Sequence, residues 1–132
     1  MNARNLMLGD YVINTEFGKN EIAQVEIVEP TRVWLKGGKT YVPITYIEPV
    51  PITVERLEKN GFKEGELRSI HGCPKWEDIS IDTKLYPAER VFDGRFMLEI
   101  DAHFKHVFIC IKHFHELQHA LRVCGIEKEI KL

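Results

Sequence analysis

The sequence predicts an α+β protein, with an N-terminal SH3-like small β-barrel or meander over residues 1–50 followed by an α-β-meander-α unit with an antiparallel sheet over residues 51–132. Three observations lead to this prediction. Short β-branched and aromatic runs alternate with turn residues through the first fifty positions. Two prolines in four residues then interrupt the pattern at positions 48–51. An amphipathic helix lies near the end of the chain.

Composition is consistent with this fold class and gives little indication of function. The chain has 132 residues, of which 44% are hydrophobic and 29% charged, which is ordinary for a folded globular protein. No stretch approaches the roughly 20 apolar residues of a membrane span, so we expect no membrane association and a cytoplasmic location. Three cysteines without C-x-x-C spacing imply neither a disulfide framework nor a redox motif.

Two hairpins are predicted in the N-terminal unit. Residues 11–13 and 22–28 are strand-like and are separated by turn residues, which predicts the first hairpin. Residues 32–36 and 40–42 flank Gly37 and Gly38, which predicts a second hairpin with a two-residue glycine loop. Residues 48–51 then form an extended connector, because proline cannot continue a sheet ladder.

A short helix is predicted after the connector. Thr53 is a suitable N-cap, Glu55 places an acid in the first turn, and Gly61 ends the helix after about two turns. With Gly61 in the left-handed conformation, Phe62 would contact Leu57, the apolar contact of a Schellman motif.

Four further strands are predicted between the two helices, at residues 66–70, 76–82, 91–100 and 107–111. Turn residues between them indicate an antiparallel meander. The last strand is apolar at every position, so we predict that it lies centrally and is covered on both faces.

The C-terminal helix has an apolar stripe formed by Phe114, Leu117, Leu121 and Cys124, which is typical of a helix packed on a sheet. Gly125 is predicted to end this helix by the same mechanism as Gly61.

The opposite face of this helix carries His115, His119 and Arg122, roughly 120–180° from the stripe, so we expect these side chains to form an outward surface. His115 to His119 reads H-E-L-Q-H and fits the H-E-x-x-H pattern of zinc metallopeptidases. In that pattern His115 and His119 bind zinc and Glu116 is the general base.

A third zinc ligand is missing from its usual places. The extended pattern needs glycine at position 122 and histidine at position 125, where this chain has Arg122 and Gly125. An upstream ligand, His103 or His106, would be an unfamiliar arrangement. We therefore expect no catalytic residue and no cofactor, and keep zinc bound by His115 and His119 as an alternative.

Charge does not favour a nucleic-acid partner. Eighteen basic and twenty acidic residues give a formal net charge of −2, so no global field attracts phosphates. A local basic patch at Lys36 and Lys39, on the second hairpin, is the best candidate for such a contact, although a solvated turn is the simpler interpretation.

Three segments carry a family resemblance: residues 5–12 (NLMLGDYV), residues 47–62 with IEPVPIT and LEKNGF, and residues 115–121 (HELQHAL). They are similar to a group of small uncharacterised bacterial proteins associated with phage and mobile elements, in which the last segment follows a V-H-E-L-Q signature. This chain has Phe114 where valine is usual. The resemblance implies no known activity, and it implies that the H-E-x-x-H string is incidental because the position of His119 need not be histidine in the relatives.

The leading functional hypothesis is a non-catalytic binding or adaptor protein of phage or mobile-element origin, with an unidentified protein partner. Its binding surface is expected on the β unit, near Lys36 and Lys39, or on the outer helix face with His115, His119 and Arg122. Two alternatives stay open: a zinc-dependent hydrolase with Glu116 as base, and nucleic-acid binding through the β unit.

Overall fold

The computed structural model describes residues 1–65, 75–88, 94–102 and 105–132. Within these residues the protein is α+β, with two antiparallel five-stranded sheets and two α-helices, as predicted. The chain forms two compact units, Met1–Val50 and Pro51–Leu132. The strand predicted at residues 66–70 and the side chain of His103 lie outside the described residues.

The first unit is a sheet with strand order β4-β3-β2-β1-β5, in which β1 to β4 form a meander and β5 returns to pair with β1. Its strands are β1 (Tyr11–Asn14), β2 (Glu21–Val28), β3 (Arg32–Leu35), β4 (Val42–Pro43) and β5 (Ile47–Pro49). A bulge between Val25 and Ile27 divides β2, so that residues 21–24 pair with β1 and residues 25–28 pair with β3. The sheet is open as described, with β4 and β5 at its two edges.

Alternation along the strands of the first unit places one set of side chains in a common core. The buried members of this core are Leu6, Val12, Val25, Val33, Leu35, Val42 and Ile47. A turn before β1 is fixed by buried Asp10, whose carboxylate accepts a hydrogen bond of 2.8 Å from the amide of Met7. The segment LMLGDYV therefore contributes a turn and a core strand.

The second hairpin forms, but its predicted two-residue loop is wrong. β3 ends at Leu35 and β4 begins at Val42, so the connection covers residues 36–41. The glycines make a tight turn at its start: Gly37 has φ +78°, and the amide of Gly38 donates to the carbonyl of Leu35 at 2.9 Å. A Cβ on Gly38 would lie 2.9 Å from that carbonyl oxygen, which explains the second glycine.

The connector predicted at residues 48–51 is partly a strand. Pro49 pairs with Val12 and Glu48 with Ile13 in β5. The prediction was wrong because proline is tolerated in a strand at the edge of a sheet, where its missing N–H can face away from the ladder.

The second unit contains two helices and a sheet of strand order β10-β9-β8-β7-β6. Its elements are α1 (Val54–Lys59), β6 (Lys63–Glu64), β7 (Trp76–Asp78), β8 (Thr83–Pro87), β9 (Phe96–Ala102), β10 (Lys105–Ile111) and α2 (Phe114–Val123). Helix α1 packs near β7, and α2 packs near β10. The largest buried side chains of this unit include Phe62, Leu85, Phe96, Leu98, Ile100 and Ile111.

Both predicted helix ends are confirmed. After α1, the amide of Phe62 donates to the carbonyl of Leu57 at 3.1 Å, and Gly61 has φ +85°. After α2, the amide of Ile126 donates to the carbonyl of Leu121 at 2.9 Å, and Gly125 has φ +70°. These are the bonds of the Schellman motif. The predicted N-cap of α1 is also present, since Thr53 Oγ1 accepts from the amide of Arg56 at 3.2 Å.

The prediction that residues 107–111 form a central strand is wrong. Strand β10 pairs with β9 and lies at the end of the described sheet. Phe108 is 52% exposed and Ile109 is 41% exposed, although they point to opposite faces. Continuous hydrophobicity indicates a strand covered on both faces only if the strand is internal, and strand order is not encoded in local sequence.

Candidate functional site

Helix α2 carries the only string with a catalytic pattern, and its apolar stripe is buried as predicted. Phe114, Leu117, Leu121 and Cys124 are all at most 2% exposed. Burying the three large members of the stripe contributes on the order of 1.5–3 kcal/mol each. The stripe fixes the orientation of the helix, and hence the direction of each side chain in the H-E-L-Q-H string.

The expected outward surface of this helix is wrong at His115. His115 is only 8% exposed, as is Gln118, whereas His119 is half-buried and Arg122 is exposed. Helical geometry gives the angle between side chains but does not say how wide the covered face is. Here the buried face extends beyond the stripe to include His115, so this side chain cannot belong to an exposed binding surface.

The carboxylate of Glu116 is hydrogen-bonded to the backbone at the N-terminus of helix α2. Its Oε1 atom accepts hydrogen bonds from the amides of Lys112, at 3.1 Å, and His113, at 3.0 Å, and lies 3.2 Å from Nδ1 of His113. His113 is the N-cap and Glu116 is the third helical residue, which is the position of the acid in a capping box. The carboxylate that the zinc pattern would use as a base therefore satisfies backbone donors left open at the start of the helix.

The histidines of this region contact one another through their rings. The ring centroids of His113 and His115 are 5.8 Å apart with an interplanar angle of 11°, and those of His115 and His119 are 5.6 Å apart at 73°. The stacked pair is His113 and His115, whereas the H-E-x-x-H pattern would use His115 and His119. In residues 1–65, 75–88, 94–102 and 105–132, no three His, Cys, Asp or Glu side chains form a group that could hold a metal ion.

Lys36 and Lys39 are both exposed, on the loop between β3 and β4. They line a groove of about 210 Å³ that also includes Glu16, from the connection between β1 and β2, and Glu21, the first residue of β2. Two basic and two acidic side chains balance in this groove, so it lacks the net positive field that phosphate binding requires.

The sequence analysis missed an exposed aromatic residue in the first unit. Phe17 is 87% exposed and lies in the short turn Glu16–Gly18 between β1 and β2, with φ +59°. Left-handed φ is uncommon for a residue with a bulky side chain and costs on the order of 1–2 kcal/mol. A large apolar residue among the turn residues of positions 14–20 was the signal that could have identified it.

A second exposed aromatic residue belongs to a neighbouring segment. Tyr46 is 44% exposed, in the single turn Ile44–Tyr46 that precedes β5. Its carbonyl accepts hydrogen bonds from the amide of Thr15, at 2.8 Å, and from Thr15 Oγ1, at 2.9 Å. These bonds hold the two turns side by side, and we call the exposed surface of the turns Glu16–Gly18 and Ile44–Tyr46 the Phe17–Tyr46 surface.

Other aromatic side chains of the first unit pack on their neighbours. The rings of Trp34 and Tyr41 meet edge to face with centroids 5.2 Å apart, and the Arg32 guanidinium lies 3.9 Å from the centroid of Tyr41. Glu29 holds Arg32 through a bond of 2.8 Å. Because intramolecular contacts occupy this cluster, Phe17 is the aromatic side chain of the unit most open to a partner.

No family model, curated protein or solved structure matches this chain. None of the helices in the described residues is long and apolar enough to cross a membrane. The function must therefore be inferred from the geometry of helix α2 and of the Phe17–Tyr46 surface.

Proposed function

We propose that the protein is a non-catalytic binding protein that recognises a protein partner through the Phe17–Tyr46 surface of its β unit. The observation that carries this proposal is Phe17, held 87% exposed in a left-handed backbone conformation. Keeping an apolar ring in solvent at a cost in backbone strain is typical of a functional position, because neither feature stabilises the isolated fold. A partner that buries the ring recovers the lost hydrophobic energy.

The residues of the H-E-L-Q-H string in helix α2 have structural roles, which favours the β unit as the binding surface. Glu116 bonds the backbone at the helix start, and His115 is buried. Of the two surfaces expected from the sequence, the β unit therefore remains the better candidate. As part of the same proposal we place the protein in the cytoplasm and, following the family resemblance, assign it a phage or mobile-element origin.

We also propose that the first unit is SH3-like in architecture. The strand order β4-β3-β2-β1-β5, the bulge that lets β2 pair with two different strands, and the single helical turn at Ile44–Tyr46 before the last strand all support this assignment. In such a meander the connection between β1 and β2 and the turn before β5 lie at one end, which is where Phe17 and Tyr46 are found.

The expected loss of affinity on removing the Phe17 ring can be estimated from the apolar surface that a partner would bury. Aromatic anchors of protein interfaces typically lose about 2 kcal/mol or more of binding energy when truncated, equivalent to roughly a thirtyfold loss of affinity. Asparagine is the appropriate replacement because it tolerates left-handed φ and so keeps the turn while removing the ring.

The test is a quantitative affinity capture with wild type, Phe17→Asn and Ile79→Asn as baits. Ile79 is a matched control, since it is 79% exposed, apolar and located in a short helical turn of the second unit. We expect a partner retained by wild type and Ile79→Asn but lost with Phe17→Asn. The same captured proteins at the same abundance for all three baits would contradict the proposal.

A further inference from the structure

We infer that strand β10 is the interface of a homodimer. The β10 strands of two copies of this chain pair edge to edge, so that the five-stranded sheet of the second unit in each copy becomes part of one continuous sheet. The inference is independent of the Phe17–Tyr46 surface and rests on the four sheet edges that the described residues present. Three of them are protected along their length in recognised ways, and the edge formed by β10 is protected only at its two ends.

The three protected edges are short or interrupted by proline. Edge β4 is two residues long and contains Pro43, and edge β5 is three residues long and contains Pro49. Edge β6 consists of Lys63 and Glu64, both charged and exposed. Short length, proline and charge are the devices by which proteins prevent a free edge from pairing with another chain.

Edge β10 has these features only at its ends: it begins with Lys105, and just beyond Ile111 the amide of Ile52 donates to the carbonyl of Lys112 at 2.9 Å and Pro51 bridges to His113. The strand is seven residues long, about 24 Å at the usual rise of an antiparallel strand, and residues 106–111 contain no proline, glycine, lysine or carboxylate. Phe108 is 52% exposed and Ile109 is 41% exposed, so apolar side chains reach solvent on both faces of the same strand. Such an edge can pair with an added strand from another chain. Pairing with one defined partner also protects the edge from uncontrolled aggregation.

A second copy fits because β10 is complementary to itself. In antiparallel pairing about a twofold axis at Phe108, the two Phe108 rings lie opposite each other, His106 lies opposite Cys110, and Val107 lies opposite Ile109. Aromatic and aliphatic cross-strand pairs of this kind are favourable, and no like charges are directly opposed within residues 106–110. Lys112 falls beyond the end of the paired stretch. A closed twofold dimer is also the commonest symmetric assembly.

The outer face of the joined sheet would continue an existing contact. Within one chain, Phe108 already meets Tyr86 with ring centroids 6.4 Å apart, and it lies opposite Glu99 on β9. Addition of the second β10 would cover the side of Phe108 that faces solvent. Because one strand pair buries less than a standard interface, we expect a dimer whose population depends on concentration within the range accessible to ultracentrifugation.

Sedimentation equilibrium of the full chain at several concentrations tests the inference. We expect a monomer–dimer equilibrium for wild type, weakened at least tenfold by Phe108→Lys, which places two ammonium groups opposite each other. Ile79→Lys adds the same charge at a site that is 79% exposed and outside the sheet edges, and should dimerise as wild type does. A circular dichroism melt checks that Phe108→Lys remains folded.

The register has its own test. In the proposed pairing His106→Cys places a thiol directly opposite Cys110 of the partner copy, within the Cα separation of about 4.4–6.8 Å that a disulfide needs. Mild oxidation should give a covalent dimer linked between the introduced thiol and Cys110, identified by peptide mass, whereas Ser80→Cys should give none. A wild-type chain that is monomeric at every concentration overturns the inference, as does a dimer that Phe108→Lys leaves unchanged.

Discussion

Replacing Glu116 by alanine should destabilise the second unit, because this carboxylate caps helix α2. The change removes the acceptor of two backbone amides, those of Lys112 and His113, at 3.1 and 3.0 Å. Loss of a capping side chain typically costs 0.5–2 kcal/mol. Glu116 is 37% exposed, so water can replace part of the interaction, and we expect a loss of about 1–1.5 kcal/mol.

The assay is urea denaturation followed by tryptophan fluorescence, together with amide hydrogen exchange. Exchange at the amides of Lys112 and His113, which precede α2, should accelerate in Glu116→Ala more than exchange within α2, since these two amides lose their acceptor.

Two matched variants separate capping from a change in charge. Glu116→Gln keeps a side-chain oxygen that can accept, so it should retain at least half of the stability that alanine loses. Glu127→Ala removes the same charge from an exposed position just beyond α2 and should change stability by less than about 0.5 kcal/mol. Unchanged stability and unchanged exchange in Glu116→Ala would refute the capping role.

Three further predictions concern the segments that hold the second unit together. Gly125→Ala should cost about 1 kcal/mol in urea denaturation through backbone strain alone, because φ is +70° and no atom lies within 4 Å of the added Cβ; a neutral effect would contradict the left-handed stop. Asn60→Asp should cost about 2–4 kcal/mol, measured in the same way, since buried Asn60 Nδ2 donates to the carbonyls of Arg56 and Lys131 at 2.8 and 2.9 Å and a carboxylate would face both oxygens; a loss no larger than that of an exposed substitution would exclude this role. Desolvation acts to raise the pKa of Asp78, but hydrogen bonds from Lys128, at 2.8 Å, and from Ser80 outweigh it, so the pKa is lowered. A lowered pKa stabilises the folded state above the unfolded value of about 3.9, so the stability difference between wild type and Asp78→Asn should be constant near neutral pH and shrink as pH falls through the folded-state pKa; a difference that is flat down to pH 2 would contradict it.

Local chemistry explains which parts of the fold could be predicted from the sequence. The ends of both helices follow from residues within six positions of each other, such as Leu57, Gly61 and Phe62, and they form as predicted. The buried stripe of α2 likewise depends only on helical periodicity. These features need no knowledge of which distant segments meet.

The incorrect predictions share a different cause. Pro49 was expected to end the sheet and β10 to lie inside it, but both outcomes depend on which strand is at the edge. His115 was expected to be exposed, but it is buried, because the covered face of the helix is wider than its apolar stripe. Strand order and coverage are properties of the tertiary structure, and local patterns do not contain them.

The three segments on which the sequence analysis based its family expectation contain residues that shape the fold. Gly9 and Asp10 form the turn before β1, Gly61 forms the stop of α1, and Glu116 caps α2. These positions constrain a fold more directly than an activity. The exposed Phe17 lies outside all three segments.

The claim that Glu116 caps the helix, and that His115 and His119 bind no metal ion, is tested most directly by the zinc content of the chain. Protein purified without a histidine tag would be equilibrated with zinc, dialysed and measured by mass spectrometry of the metal, beside His119→Ala. We predict substoichiometric zinc that is the same in both proteins. One zinc per chain in wild type, lost in His119→Ala, would contradict the structural role assigned to this string.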